Sequence, residues 1–495
     1  MTIKQRPNVI IMYADDLGYG DLGCYGAASI PTPNVDRLAQ GGLRFTEGYA
    51  AAATCTPSRY SLLTGIYPWR NSEAAILPGD APMIIEPGSP TLANMFQEAG
   101  YCTGVVGKWH LGLGRGSLDW NSEIKPCPLD VGFDYSYIMA ATNDRVPCVY
   151  VENRKVDGLD PNDPIEVTYD QDKPFPCIPT GKTNPELLRM GYSHGHDMSI
   201  INGVSRIGYM RGGTQALWND ETMGEVFLGK AVSFIKEHAH EPFFLYYALH
   251  QPHVPRLPNP QFAGKSGLGP RGDVIMEMDW CVGQLLDSLE EQNLMENTIV
   301  IFSSDNGPVL DDGYQDQAVE LVGDHRPAGN LRGGKYSMYD GGTKVPFIIS
   351  WPGTVKPGIS DAVVCHIDFF ASFASLLGQE LTKDAALDSL DLSAALLGTN
   401  NIGRKELVTE GTKGKLVLHR DDWVYIPPYA GPAVNKNVNI ELGNAPQSQL
   451  YNLSHDLGQK ANVAEENSKL TDQMKARLDD IQTARGTRPG INGVQ

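Results

Sequence analysis

Apolar runs alternate with helix-period segments along most of the chain. Residues 8–14, NVIIMYA, are apolar and β-branched at the start, and they end on the paired Asp15 and Asp16. YCTGVVG at 101–107 reads as a strand following a helix at 90–99. Residues 222–238 carry a helical pattern and lead through Pro242 into FFLYYAL, a buried strand over 243–249. A long helical pattern at 273–293 precedes TIVIFSSDNG, a strand that ends in acidic and polar residues. VPFIISW at 345–351 gives one more strand, with a helix near 367–377. Unbroken apolar strands separated by helices predict an α/β fold, a large mixed, mostly parallel sheet sandwiched by helices.

Two stretches break this rhythm. Residues 115–220 are rich in Pro, Gly, Asp and Asn and lack periodicity, so they are expected to be long ordered loops that shape a substrate site. After about residue 400 the pattern becomes short strands (ELVTEG, KLVLHR, WVYIPP) with one helix near 465–485. The expected division is a main α/β domain over 1–400 and a smaller C-terminal α+β subdomain over 401–495.

Composition narrows the function classes. The 495 residues are 41% hydrophobic and 20% charged, enough to build a packed core. A formal charge of −19 argues against nucleic acid as a partner. No run of about 18 apolar residues occurs, so no membrane insertion is expected. The start, MTIKQRPNVIIMYADD, has no secretory signal pattern. That makes the cytoplasm the expected location, or the periplasm or exterior if a signal has been removed. Eight scattered cysteines form neither a zinc pattern nor a disulfide scaffold.

The most informative segment is Cys55-Thr56-Pro57-Ser58-Arg59, followed by YSLLTG. By itself it fits a buried cysteine ahead of a capped helix as well as a reactive thiol. A cysteine at a helix N-terminus would have its thiolate favoured by the macrodipole. Four further segments follow the same order as in a known family: PNVIIMYADDLGYGDLGCYG at 7–26, GKWHLG at 107–112, SSDNGP at 303–308 and LRGGKYSMYDGGTKVPFIISWPG at 331–353. Together with CTPSR, the chain resembles the formylglycine-dependent sulfatases of the alkaline phosphatase superfamily, and among them bacterial carbohydrate sulfatases. The resemblance implies that Cys55 is oxidised to formylglycine (3-oxoalanine) by a formylglycine-generating or sulfatase-maturating enzyme. The aldehyde is then hydrated to a diol whose hydroxyl is the nucleophile.

Asp15, Asp16, Asp305 and Asn306 each follow a predicted strand, and ligands of open α/β sheets bind at strand carboxyl ends. Three carboxylates and an amide are hard oxygen ligands suited to Ca²⁺ or Mg²⁺. One Asp-Asp pair alone fits a turn or cap equally well. The resemblance implies calcium, with magnesium as the alternative, and residue 55 also touching the ion. Arg59, Lys108 and Lys335 can supply the charge that holds a sulfate. By resemblance, Arg59 and Lys108 hold the formylglycine hydrate and Lys335 contacts the sulfate.

By the same resemblance, His110 takes a proton from the second diol hydroxyl and so expels sulfate. His250 and His253, in LYYALHQPHVP, compete for a second role. The family's sulfate-contacting histidine precedes a small residue and a proline, which fits His253-Val254-Pro255. His253 is therefore assigned as general acid to the leaving sugar oxygen, with an ordinary pKa near neutrality suited to the task, and His250 as its neighbour. Asp144, Arg145, His196 and Arg326 lie in non-periodic sequence. They suit hydrogen bonds to sugar hydroxyls, although charged loop residues are more often ordinary ion pairs or caps. A sulfated saccharide, of galactose type, is the expected substrate. The rivals are a phosphonate or phosphodiester hydrolase of the same superfamily, and a sulfated-glycan binding protein without turnover if Cys55 stays unconverted.

Overall fold

The computed structural model describes residues 6–172 and 174–491. Ten strands form the main sheet. From one edge they are Gly358–Ser360, Leu43–Phe45, Phe347–Ser350, Thr298–Ser304, Asn8–Ala14, Phe243–Ala248, Cys102–Lys108, Tyr135–Met139, Tyr150–Glu152 and Lys155–Val156. The five strands from Thr298–Ser304 to Tyr135–Met139 run parallel to one another. Phe347–Ser350 is antiparallel to both its neighbours, and Tyr150–Glu152 is antiparallel to Tyr135–Met139. The sheet is thus mixed, with a parallel centre, as the sequence pattern predicts.

Asn8–Ala14, Phe243–Ala248 and Thr298–Ser304 are buried at every position, which is why they are unbroken apolar runs. Neighbouring residues on a strand point to opposite faces. Phe244 stacks on Phe96 of the helix Leu92–Glu98, while Phe243 meets Phe234 of the helix Met223–Glu237, so helices cover both faces. The long helix begins at Gly269, four residues ahead of the predicted start, because Pro270 is tolerated in a first turn.

The loop-rich stretch 115–220 supplies three strands of the main sheet that the pattern does not reveal, Tyr135–Met139, Tyr150–Glu152 and Lys155–Val156. Tyr135–Met139 is a full member of the main sheet, paired in parallel with Cys102–Lys108. Its five residues, YSYIM, are hidden between Pro/Gly-rich flanks. The rest of the stretch is ordered loop with short strand pairs such as Glu166–Thr168 with Tyr209–Arg211.

Beyond residue 400, Glu406–Glu410, Leu416–Arg420, Trp423–Ile426 and Gln449–Asn452 form a four-stranded antiparallel sheet. The helix Ser468–Thr483 buries Met474, Leu478 and Ile481 against it, a one-sided stripe. The small sheet is stitched to the main body just ahead of Cys55: Glu410 N–H donates to the Ala51 carbonyl at 2.9 Å and Ala53 N–H donates to the Glu410 carbonyl at 2.8 Å.

Candidate active site

Four adjacent parallel strands deliver the predicted residues to one edge of the sheet. Asp305 and Asn306 follow Thr298–Ser304, and Asp15 and Asp16 follow Asn8–Ala14. His250 and His253 follow Phe243–Ala248, while Lys108 ends its own strand with His110 just beyond. The helix Cys55–Thr64, buried at all ten positions, aims its first turn at this edge. Ser58 Oγ lies 3.0 Å from Tyr13 Oη, which is 2.9 Å from His366 Nδ1, and His366 Nε2 is 2.7 Å from Ser303 Oγ. That buried relay fixes the helix to the two central strands.

The charged groups interlock. Lys108 Nζ donates to both oxygens of Asp15 at 2.7 Å. Arg59 donates to Asp305 Oδ2 from Nε at 3.0 Å and from Nη2 at 2.7 Å. Lys335 Nζ donates to Asp16 Oδ2 and to Asp312 Oδ2, each at 2.8 Å. Cys55 Sγ lies 3.6 Å from Asp15 Oδ1. Three non-glycine residues here, Asp16, His110 and Tyr336, have positive φ, at 64°, 53° and 76°. Such backbone is costly and persists only where its surroundings fix it. For His110 the fixing contact is its N–H on the carbonyl of Ala140 at 3.1 Å, the residue just past the strand Tyr135–Met139.

The donor set fits a hard divalent cation. Ligand atoms of Asp15, Asp16, Asp305 and Cys55 lie within 4.8 Å of one another. Asn306 Oδ1 is buried beside them with no hydrogen-bond partner among the described residues, while its amide nitrogen donates to Asp16 Oδ1 at 2.8 Å. A buried acceptor without a donor is what a bound cation would satisfy. Four buried carboxylates (Asp15, Asp16, Asp305 and Asp312) face only three cations, Arg59, Lys108 and Lys335. Burial, with the charges of Asp305 and Asp16, pushes the Asp15 carboxyl up against the pull of Lys108. Burial would raise Asp305 too, but Arg59 and Lys108 outweigh it and hold that carboxyl low.

Two electrostatic expectations are corrected. Cys55 is at a helix N-terminus, yet burial, with Asp305 and Asp15, pushes its thiol well above the usual range despite Lys108 and Lys335. Desolvation exceeds the dipole's contribution. His253 is not near neutrality: burial and the charges of Lys335 and Lys108 hold it well below the usual range. Its Nδ1 lies 2.7 Å from the Val254 carbonyl, which can only accept, so Nε2 carries the lone pair, facing Lys335 Nζ at 3.4 Å. His110 has the opposite tautomer. Nε2 donates to the Leu77 carbonyl at 2.9 Å, and Nδ1 is buried without a partner among the described residues. Burial, Lys108 and Arg145 keep its ring neutral.

Beside this cluster the insert loop adds a second one. His196 Nε2 is 2.9 Å from Asp144 Oδ2, and Arg145 Nη1 donates to Asp144 Oδ1 at 2.7 Å. These three are brought together beside the first cluster, with Arg145 ion-paired to Asp144. His250 is buried against Phe227, its pKa lowered to about 4 by burial. Arg326 stands apart: it is exposed, on the wall of a surface depression with Asn330, Arg332 and His455. Asp312, buried between Lys335 and Tyr336, is a site residue that sequence reasoning missed, because it belongs to no motif and meets Lys335 only through the fold.

A family model described as sulfatase matches residues 7–379. The chain belongs to the sulfatase family. It is accordingly a sulfuric ester hydrolase. This sulfatase is 50% identical over 481 residues to an N-acetylgalactosamine-6-O-sulfatase of Bacteroides thetaiotaomicron, covering 97% of this chain and 94% of that one. It is 32% identical to human arylsulfatase A, over 94% of this chain and 84% of that one. A solved structure from work on glycosaminoglycan metabolism by Bacteroides thetaiotaomicron superposes with a TM-score of 0.96 at 50% identity, covering 97% of this chain and 100% of that one. Members of the family use a formylglycine and a metal ion, and the acidic cluster fits the latter. Among the described residues, no helix is long and apolar enough to cross a membrane.

Proposed function

We propose that this sulfatase removes the sulfate ester from a galactose-type sugar, with N-acetylgalactosamine 6-sulfate as the leading candidate. The observation that carries the reaction is the convergence on residue 55: its Sγ lies within 4.8 Å of ligand atoms on three carboxylates, where Arg59, Lys108 and Lys335 also meet. The sugar class is supported by the 50% identical relative and by the Asp144–Arg145–His196 cluster alongside.

Cys55 is the residue to be converted to formylglycine by a maturation enzyme, and Asp15, Asp16, Asp305, Asn306 and residue 55 are the ligands for calcium, with magnesium as the alternative. The formylglycine supplies a hydrated aldehyde as nucleophile, and the cation supplies positive charge to sulfate oxygens. The chain's own residues do the rest. Arg59 and Lys108 hold the nucleophile, and together they hold the Asp305 carboxyl low. Lys335 binds a sulfate oxygen. His110 Nδ1 accepts the proton released as sulfate departs, since it is the free lone pair of a neutral ring. His253 is the general acid to the leaving sugar oxygen. Burial with the charges of Lys335 and Lys108 disfavours its protonation at rest, and an anionic sulfate ester entering beside Nε2 favours the uptake of the proton it then donates. Asp144, Arg145 and His196 are the candidate contacts to sugar hydroxyls.

The test is chemical. The tryptic peptide containing residue 55, from protein made with a maturation enzyme, should carry an aldehyde and not a thiol. Cys55→Ala and Cys55→Ser should fold normally and lose multiple turnover. Retention of more than about a tenth of wild-type kcat, a barrier change under ~1.4 kcal/mol, would sink the assignment.

A further inference from the structure

We infer that Asp312 is a positioning residue, which acts through Lys335 by holding its ammonium at the sulfate subsite. The inference rests on the reading of Lys335 given above and extends it to a residue outside every motif.

Lys335 Nζ has two carboxylate partners, Asp16 and Asp312, each at 2.8 Å. Asp16 would share its carboxylate with a bound cation, whereas Asp312 lies outside the proposed ligand set and is left to the lysine. Asp312 is itself fixed. Tyr336 Oη donates to its Oδ1 at 3.0 Å, and the residue is only 8% exposed. Successive residues, Lys335 and Tyr336, thus reach the same carboxylate. Two side chains that follow each other in extended backbone diverge. Here Tyr336 adopts a φ of 76°, and its N–H is anchored on the Ala53 carbonyl at 2.8 Å, two residues before Cys55. The Lys335 N–H is anchored on the Pro308 carbonyl at 2.9 Å, just past the Asp305–Asn306 pair. The strained turn is therefore tied at both ends to the site it serves. A flexible lysine left without Asp312 would lose the ordering that a doubly held ammonium has.

Simple charge counting and positioning make opposite forecasts. Deleting a carboxylate near an anion site should tighten anion binding by Coulomb's law. Deleting a positioning carboxylate should weaken it. The experiment measures inorganic sulfate affinity by calorimetry, which needs no turnover, together with kcat/KM on 4-nitrophenyl sulfate. The proteins are wild type, Asp312→Ala, Asp312→Asn, Lys335→Ala and the Asp312→Ala/Lys335→Ala double variant. Asp312→Ala is expected to bind sulfate about 10-fold or more weakly, as loss of a hydrogen bond between charged groups predicts, with Asp312→Asn in between and melting temperature little changed. In the Lys335→Ala background the further loss should be under about threefold, since coupled sites are non-additive. Unchanged or tighter sulfate binding in both Asp312 variants would overturn the inference. So would equal losses with and without Lys335, which would make Asp312 an independent structural or substrate contact. A Lys335→Ala protein with wild-type kinetics and affinity would overturn the Lys335 reading itself, and this inference with it.

Discussion

Gly313→Ala is the sharpest probe of the proposed sugar contacts. Gly313 has a φ of 110°, and a Cβ there would collide with the imidazole of His196. The same segment is bound to the insert loop on both sides: Ser193 N–H donates to the Gly313 carbonyl at 2.9 Å and Gln315 N–H to the Gly191 carbonyl at 2.9 Å. The expected relief is a displacement of the ring, which would break its 2.9 Å contact with the buried Asp144 carboxylate. A hydrogen bond to a charged group contributes about 1.5–3 kcal/mol, and the left-handed backbone adds about 1–2 kcal/mol of strain. If the Asp144 arrangement reads the sugar, the first figure becomes a loss in kcat/KM of about 10–150-fold on a sulfated galactose-type saccharide. The strain figure becomes a modest fall in melting temperature. Hydrolysis of 4-nitrophenyl sulfate, which presents no sugar hydroxyls, should change less than about threefold on the same scale. The assay is steady-state kinetics on both substrates, with His196→Ala as a variant that removes the ring without backbone strain. Equal losses on the two substrates would refute the reasoning, as would sugar activity that survives in both variants.

His253→Ala should slow desulfation of a sugar far more than that of 4-nitrophenyl sulfate, because an alkoxide needs a proton and a nitrophenolate scarcely does; kcat/KM on both substrates checks this, and a stronger leaving-group effect in His250→Ala would mean the wrong histidine was chosen. Chelation should abolish activity and calcium or magnesium should restore it; elemental analysis showing zinc, with no response to calcium, would contradict the assigned ligands. Glu277 has its carboxyl raised from 4.5 to about 7, chiefly by burial. A carboxyl so raised contributes stability that is complete below pH 4.5 and is lost as pH climbs through 7, a penalty of about 3 kcal/mol at the alkaline end. Glu277→Gln should therefore flatten the melting temperature between pH 5 and 8 relative to wild type, and parallel profiles would show that the group titrates normally.

The strands that position the site were legible because each is an apolar run that stops on charged or polar residues. Asp15, Asp305 and His253 could be placed at one sheet edge on that basis. Tyr135–Met139 was not legible: five residues flanked by proline and glycine carry little periodic signal, yet the strand and the residue after it hold the N–H groups of Trp109 and His110. Asp312 escaped for another reason. Its role depends on meeting Lys335, 23 residues away, across a turn that no local pattern foretells. The protonation of Cys55 and His253 could not be read from sequence at all, since burial decides it in both. Arg326 carried the right chemistry in a loop that turns to solvent.

The complete burial of the helix Cys55–Thr64 sets a schedule for the molecule's biogenesis. A catalyst that must handle the peptide around Cys55 can do so only while the sheet beneath it is open. The strand Asn8–Ala14 pairs with Thr298–Ser304, so the sheet cannot close until the chain has been made that far. Between residue 55 and that strand lie about 250 residues, which at roughly 5–20 residues per second leaves on the order of 12–50 s during synthesis. On the proposed conversion of Cys55, the enzyme's active fraction would then be set during synthesis, by a race between oxidation and folding.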